Sequence, residues 1–311
     1  MPLGGCVLEI IDAHQHFWDI ERNHLPWLCD PAPIPFRYGD YSGLRRNYLP
    51  EHYHADCAGH VVVGSVCIEA EWDPRDPYGE VQWLSELIRT CKLNSVIVAQ
   101  AWLDRPDVAE VLEHHAANPF VRGIRHKPRS LSGPGTLDQG APGSMTDPKW
   151  VDGFSMLARY GLSFDLQVPW WHLSDAARLA VNHPDTLVIV NHTGLPSDRS
   201  KEGLAQWYSA MRNLSEVENT AVKISGLGVA GRPWKHEDNA AIVLDTIDLL
   251  GTERCMFASN FPVDSLVGSF QTIMAGFSEI VSQFSTAERV ALFSGNARRL
   301  YRMDSDKGTT A

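Results

Sequence analysis

Short apolar runs alternate with longer stretches of helical pattern along this chain, and that alternation limits the fold more than any other feature. Eight runs rich in valine and isoleucine are bounded by turn residues. They are VLEIIDAH (7–14), VVVGSVCIEA (61–70), NSVIVAQAWL (94–103), FVRGIRH (120–126), LSFDLQV (162–168), TLVIVNH (186–192), TAVKIS (220–225) and RCMFASN (254–260). Several are apolar almost throughout, as parallel strands covered by helices must be. Helical patterns fall between them, at 78–92, 106–117, 152–161, 174–183, 202–213 and 239–251. Arg105-Pro106 and Ser174-Asp175 read as helix starts, Gly161 and Gly251 as stops. Eight strands separated by helices, with right-handed crossovers, predict an α/β fold: a (β/α)8 TIM barrel with long loops at its C-terminal face. An open doubly wound sheet is the competing topology, but no G-x-G-x-x-G follows an early strand. The 311 residues suit one such barrel, so a single domain is expected over 1–303, followed by a disordered tail over 304–311.

Apolar residues make up 44% of the chain and charged residues 21%, the balance of an ordinary soluble globular protein. The net charge of -11 is spread without acidic or basic blocks, which argues against nucleic acid and anionic membrane as partners. A small-molecule substrate is the expected partner, and a homo-oligomer stays open. No apolar run approaches the ~18 residues of a transmembrane helix. The start, MPLGGCVLEIIDAH, has neither the basic segment nor the long apolar stretch of a signal peptide. The six cysteines form no C-x-x-C pair, and Cys67, Cys91 and Cys255 lie in or beside apolar segments. Buried thiols in a reducing, cytoplasmic setting are the expectation.

The residues that end the strands carry the functional reading. His14 and His16 end the first run; residues i and i+2 of a strand share a face, so the two imidazoles converge. Glu69 and Glu71 end the second run, and Arg122, Arg125 and His126 stand on the fourth. Asp165 and Gln167 follow on the fifth, Asn191 and His192 on the sixth, Lys223 and Ser225 on the seventh, Ser259 and Asn260 on the eighth. An unpaired polar group in a dry core costs roughly 1–3 kcal/mol, so polar strand ends make sense where they line one wet pocket. Three interruptions, at 17–50, 127–148 and 226–238, are longer than a barrel requires; on a barrel they crowd the catalytic face or are plain surface insertions.

The H-x-H of the first strand, VRGIRH, NHTG, SNFPVD and the later SGNARRLY together resemble the amidohydrolase superfamily. The chain is most similar to its amidohydrolase-2 branch, which holds sugar lactonases and pyrone-dicarboxylate lactonases, and DAHQHFWD looks like the start of the fuconolactonase-like group. The resemblance runs from about residue 10 to residue 303.

The resemblance implies hydrolysis of a cyclic ester at the barrel mouth, which needs aid on the carbonyl oxygen, an activated water and a cradle for the substrate. A divalent metal such as zinc supplies the first two by lowering the pKa of bound water toward ~7, with His14, His16 and His192 as its imidazole ligands and Glu69 as a further oxygen. Without metal, the same imidazoles can hydrogen-bond the carbonyl and stabilise the oxyanion. Relatives commonly have S-D-W-P on the last strand, where this chain reads Ser259-Asn260-Phe261-Pro262. An amide takes no proton at pH 7 and is a poor ligand beside a carboxylate, so a metal-free or weakly metal-binding site is favoured. Asp264 either replaces the missing base or caps the next helix, and Glu69 and His192 are the other candidates for that base. Arg125 and His126 either grip a substrate carboxylate or pair within the mouth with Glu69 or Asp165. Lys223 holds a substrate anion or pairs with a neighbouring carboxylate. Trp171, with Trp170, Trp18 and Trp72, offers a ring face or simply packs.

The expected activity is that of a hydrolase opening a small lactone, sugar-derived or derived from a dicarboxylic acid. Its rivals are a metal-dependent decarboxylase or amide hydrolase of the same superfamily, and a non-catalytic ligand-binding protein on a decayed barrel.

Overall fold

A computed structural model describes residues 8–304. Eight strands form one parallel sheet in chain order: β1 (Glu9–Gln15), β2 (Val61–Ile68), β3 (Ser95–Gln100), β4 (Val121–Arg125), β5 (Ser163–Leu166), β6 (Val188–Val190), β7 (Thr220–Ile224) and β8 (Cys255–Phe257). A helix follows each: α1 (Pro50–Asp56), α2 (Gly79–Thr90), α3 (Val108–Ala117), α4 (Pro148–Ser155), α5 (Leu173–Asn182), α6 (Lys201–Ser215), α7 (His236–Leu250) and α8 (Phe270–Ile280). The ends of β1 and β8 close the circle, with His16 N donating to Phe261 O and Asn260 N to His14 O, both at 2.8 Å. The expected (β/α)8 barrel is the fold. Among the described residues no helix is long and apolar enough to cross a membrane.

Local chemistry sets the boundaries. β6 and β8 stop short of their apolar runs, where Asn191-His192 and Ser259-Asn260 leave the ladder. Asp147 caps α4 by accepting from Lys149 N at 3.1 Å, with Pro148 at the first helical position, so this helix begins earlier than its apolar pattern. Gly161 closes the following turn in the left-handed region at φ 61°, and Gly251 ends α7 at φ 77°. The starts expected at Arg105-Pro106 and Ser174-Asp175 move slightly: Asp107 precedes α3, and α5 already begins at Leu173.

One irregularity decides which way β1 faces. Asp12 pairs with Ser65 but Gln15 pairs with Cys67, so three steps on β1 match two on β2. Simple alternation would put Asp12 on the side of His14 and His16. The bulge instead turns Asp12 outward, where it accepts from Tyr53 OH of α1 at 2.9 Å, and leaves both imidazoles facing the barrel axis. The same carboxylate accepts from Ser259 N (2.8 Å) and Ser259 Oγ (2.5 Å), tying β1 to the end of β8.

The segment after α8 seals the opposite mouth. Asn296 Nδ2 donates to Thr252 O (2.6 Å) and Cys255 O (2.8 Å) at the start of β8. Tyr301, fully buried, donates to Asp165 inside the barrel at 3.0 Å. Arg122, grouped by sequence with the mouth residues, lies at this far end and donates to the Arg302 carbonyl at 3.3 Å. Of the expected tail, Asp304 accepts from Arg298 at 2.7 Å, and 305–311 lie outside the described residues. Cys67 and Cys255 are buried as expected, whereas Cys91 is exposed at the end of α2. The described cysteines are free thiols.

Candidate active site

Three imidazoles meet at the carboxyl ends of β1 and β6. His14 Nε2 and His16 Nε2 are 3.2 Å apart, and the rings of His14 and His192 are centred 4.6 Å apart. His16 Nδ1 lies 2.9 Å from the Ile68 carbonyl, an obligate acceptor, so the proton sits on Nδ1 and the lone pair on Nε2. His192 Nδ1 is 2.8 Å from Ser225 Oγ. All three are held well below the ordinary imidazole range, first by burial and then by neighbouring cations: Lys223 for His14, Arg125 for His16, Arg37 for His192. They are neutral at pH 7.

His16 and His192 open onto a chamber of about 270 Å³, with Arg125, Gln167 and Asn260 also in its wall. The insertion after β1 closes the other side with Trp18, Trp27, Phe36 and Arg37. It is pinned by Trp27 Nε1 donating to Ala70 O (2.8 Å) and Trp18 Nε1 to Arg46 O (2.7 Å). Tyr38 OH accepts from Gly228 N at 3.2 Å, which joins this insertion to the one after β7. Gly226 allows the closest approach: a Cβ there would lie 2.7 Å from His192 Nδ1 and 2.8 Å from Arg37 Nη2.

Backbone strain concentrates at the chamber. Seven described non-glycine residues have positive φ, and four of them line it: Glu71 (59°), His192 (56°), Leu195 (54°) and Asn260 (56°). Such backbones cost on the order of 1–3 kcal/mol each and persist where surrounding contacts enforce them. Trp207 of α6 enforces the turn after β6, donating to Thr193 O at 2.7 Å.

The remaining expected residues divide. Arg125 lines the chamber, held by ion pairing with Glu69, by Nη2 donating to Glu69 O (2.5 Å) and by Nη1 donating to Gln167 Oε1 (3.2 Å). Glu69 is thereby spent, since its other oxygen accepts from Glu71 N at 2.7 Å, and it neither lines the chamber nor offers an oxygen to it. Lys223 is no anion holder: it is fully buried below the imidazoles, paired with Asp165 at 2.5 Å, and burial pulls its pKa down to about 8. Trp171 faces the middle insertion instead, donating to Leu131 O at 3.2 Å. His126 lies in a neighbouring cavity. Asp264 is neither a helix cap nor a chamber residue. It sits buried behind the wall in a short turn, accepting from Asn260 Nδ2 (2.6 Å), Tyr38 OH (2.9 Å) and Arg37 Nη2 (3.5 Å), with its pKa raised by burial.

Arg37, Tyr38 and Asp12 are the site residues that sequence patterning passes over. Arg37 and Tyr38 sit in an aperiodic insertion, where the only signal is a cation among aromatics and prolines. Asp12 is hidden by the bulge.

The donor set bears on metal. The His14–His16 spacing is one that two ligands of a single ion can share at Zn–N distances of ~2.0–2.1 Å. Among the described residues no group of three or more His, Cys, Asp or Glu is arranged to hold an ion, so the expected three-imidazole set reduces to a pair. Asn260, which lines the same chamber, brings an amide rather than a carboxylate, and its Nδ2 is taken by Asp264. These residues do not fit a closed ion site.

The amidohydrolase family model matches residues 11–303. This chain belongs to the amidohydrolase family. This amidohydrolase is 38% identical over 296 residues to the y4mH protein of Sinorhizobium fredii, itself described as uncharacterised, covering 95% of this chain and 99% of that one. It is 26% identical to an L-fucono-1,5-lactonase of Burkholderia multivorans, over 94% of this chain and 96% of the relative. Two crystal forms of a Burkholderia multivorans amidohydrolase, one with bound HEPES and one with bound zinc, superpose with TM-scores of 0.79 and 0.78 at 26% and 25% identity. Each covers 94% of this amidohydrolase and 99% of the solved chain. These relatives place it among the hydrolases of the superfamily.

Proposed function

We propose that the protein hydrolyses a small lactone, sugar-derived or derived from a dicarboxylic acid, in the chamber between the imidazoles and the insertion after β1. One observation carries this reading: two neutral imidazoles, His16 and His192, and the Arg37 guanidinium, whose buried Nη1 has no partner among the described residues, line the same small space. The likeness to an L-fucono-1,5-lactonase supports the substrate class.

The ring ester lies with its carbonyl oxygen toward the Arg37 guanidinium, which stabilises the charge that develops there. Water attacks the carbonyl carbon and gives its proton to Nε2 of His192, in the tautomer that keeps its ring proton on Nδ1 toward Ser225 Oγ, 2.8 Å away. The ring C–O bond then breaks, and the departing oxygen takes that proton back from His192. Arg125, fixed by Glu69, orients the hydroxyl or carboxylate substituents of the substrate. Asn260, whose Nδ2 donates to Asp264 at 2.6 Å, lines the chamber and leaves its amide oxygen as an acceptor. His16 lines the floor, with the buried His14 directly behind it, the two Nε2 atoms 3.2 Å apart.

The test is proton release on a panel of sugar and dicarboxylic-acid lactones, with and without chelator, alongside assay of carbon dioxide. Ring opening without carbon dioxide, reduced at least ~100-fold in His192→Ala, is the expected result. Turnover that survives His192→Ala, or inertness toward every lactone with ligand binding intact, would remove the proposal, the latter in favour of a binding protein.

A further inference from the structure

Beside the imidazole chamber lies a second cavity of about 750 Å³. The two share Trp27, Ile34, Glu71, Arg125 and Lys127 as a common wall. The ring opening described above makes no use of the larger space. Its lining nevertheless has a definite chemistry.

Trp102, just after β3, lines it and is 44% exposed, although most tryptophans of this barrel are buried. His126 lies nearly flat against that indole, with centroids 5.6 Å apart and planes 15° apart. His126 Nδ1 accepts from Leu103 N and from Trp150 Nε1, both at 3.0 Å. Both partners are obligate donors, so Nδ1 carries the lone pair and the proton sits on Nε2. Burial holds the ring neutral, with its pKa at about 4. Among the described residues Nε2 has no partner of its own. The cavity therefore presents a bare indole face and, next to it, one fixed N–H.

We propose that this cavity is a second substrate compartment that takes a flat aromatic substituent bearing a hydrogen-bond acceptor. The arene lies on Trp102, the acceptor takes the His126 Nε2 proton, and the linkage crosses the shared wall beside Arg125 and the half-exposed Lys127–Glu71 ion pair. Stacking of this kind favours the arene by roughly three- to tenfold. The substrate is then a lactone with an aryl arm, an assignment that rests on the lactone reading for its reacting end only.

The experiment has one arm that needs no turnover. Binding of benzamide and of cyclohexanecarboxamide is measured by calorimetry on the full chain. Benzamide is expected to bind roughly three- to tenfold more tightly, with the preference falling to near one in Trp102→Ala and returning in Trp102→Phe. Equal binding of the two amides, or a preference that Trp102→Ala leaves intact, overturns the compartment. In the second arm, kcat/KM is compared for an aldonolactone and its O-benzoyl ester, and the benzoylated lactone is expected to be preferred by a similar factor. Benzamide binding that depends on Trp102, with neither lactone opened, upholds the compartment and removes the lactone reading instead.

Discussion

His16 spends its only ring proton on the Ile68 carbonyl, and that single contact fixes which nitrogen reaches the chamber. Replacing it with alanine removes the lone pair that shares a proton with His14; in a lactone assay kcat should fall, but by less than in His192→Ala, which removes the base. Protonation should act in the same direction. All three imidazoles have folded-state pKa values below the ordinary 6.5, so the acid limb of kcat/KM is expected below pH 6.5 in a pH–rate profile. The linked stability has the same sign. Unfolded imidazoles gain protons near pH 6.5 that the folded ones refuse, so their contribution is complete above that pH and is lost as the pH falls below it. Urea unfolding between pH 7 and 5 checks this. Gly226→Ala is a further case: the added methyl meets His192 and Arg37 together, and activity should drop at least tenfold while circular dichroism stays native. His14, His16, His192, Arg125 and Asn260 were legible in the sequence because each ends a strand. Lys223 and Glu69 were singled out for the same reason, though a strand end says nothing about which partner a charge has already taken; Asp264, in the turn four residues past Asn260, was singled out only as a substitute for the missing base. Arg37 left no more than a cation among aromatics and prolines, being placed by an insertion whose path depends on aromatic packing.

At the scale of elements, the insertion after β1 is held to the loop after β2 by His24. Its Nε2 is 2.9 Å from Asp30 Oδ1 and its Nδ1 3.1 Å from Asp73 Oδ2. These contacts, Asp30 first, raise the His24 pKa, so the latch is fully made below pH 6.5 and is released as the pH rises through the higher folded value. Limited proteolysis should cut the insertion faster at pH 9 than at pH 6, and His24→Leu should remove that difference. Insertion ends were easy to find from glycine, proline and the absence of periodicity, but their mutual contacts, such as Tyr38 with Gly228, join distant parts of the sequence that no local pattern links. The bulge in β1 was equally invisible. It comes from pairing between strands, and one-residue slips leave the apolar count of a run unchanged.

For the whole molecule, the barrel itself was readable because parallel strands buried on both faces must be apolar and must be spaced by helices. What the SGNARRLY segment does was not readable, because its partners are backbone carbonyls at the start of β8 and a carboxylate deep in the barrel. Asn296→Ala frees the carbonyls of Thr252 and Cys255, and denaturant unfolding should show a loss of about 1–3 kcal/mol.

Tyr301 reaches Asp165, Asp165 holds Lys223, and the charge of Lys223 bears on His14. A ribosome makes Tyr301 only after every strand has been synthesised. The floor beneath the imidazoles is thus completed last, and a nascent chain that has already curled all eight strands into a ring would still lack the electrostatic setting on which chemistry depends.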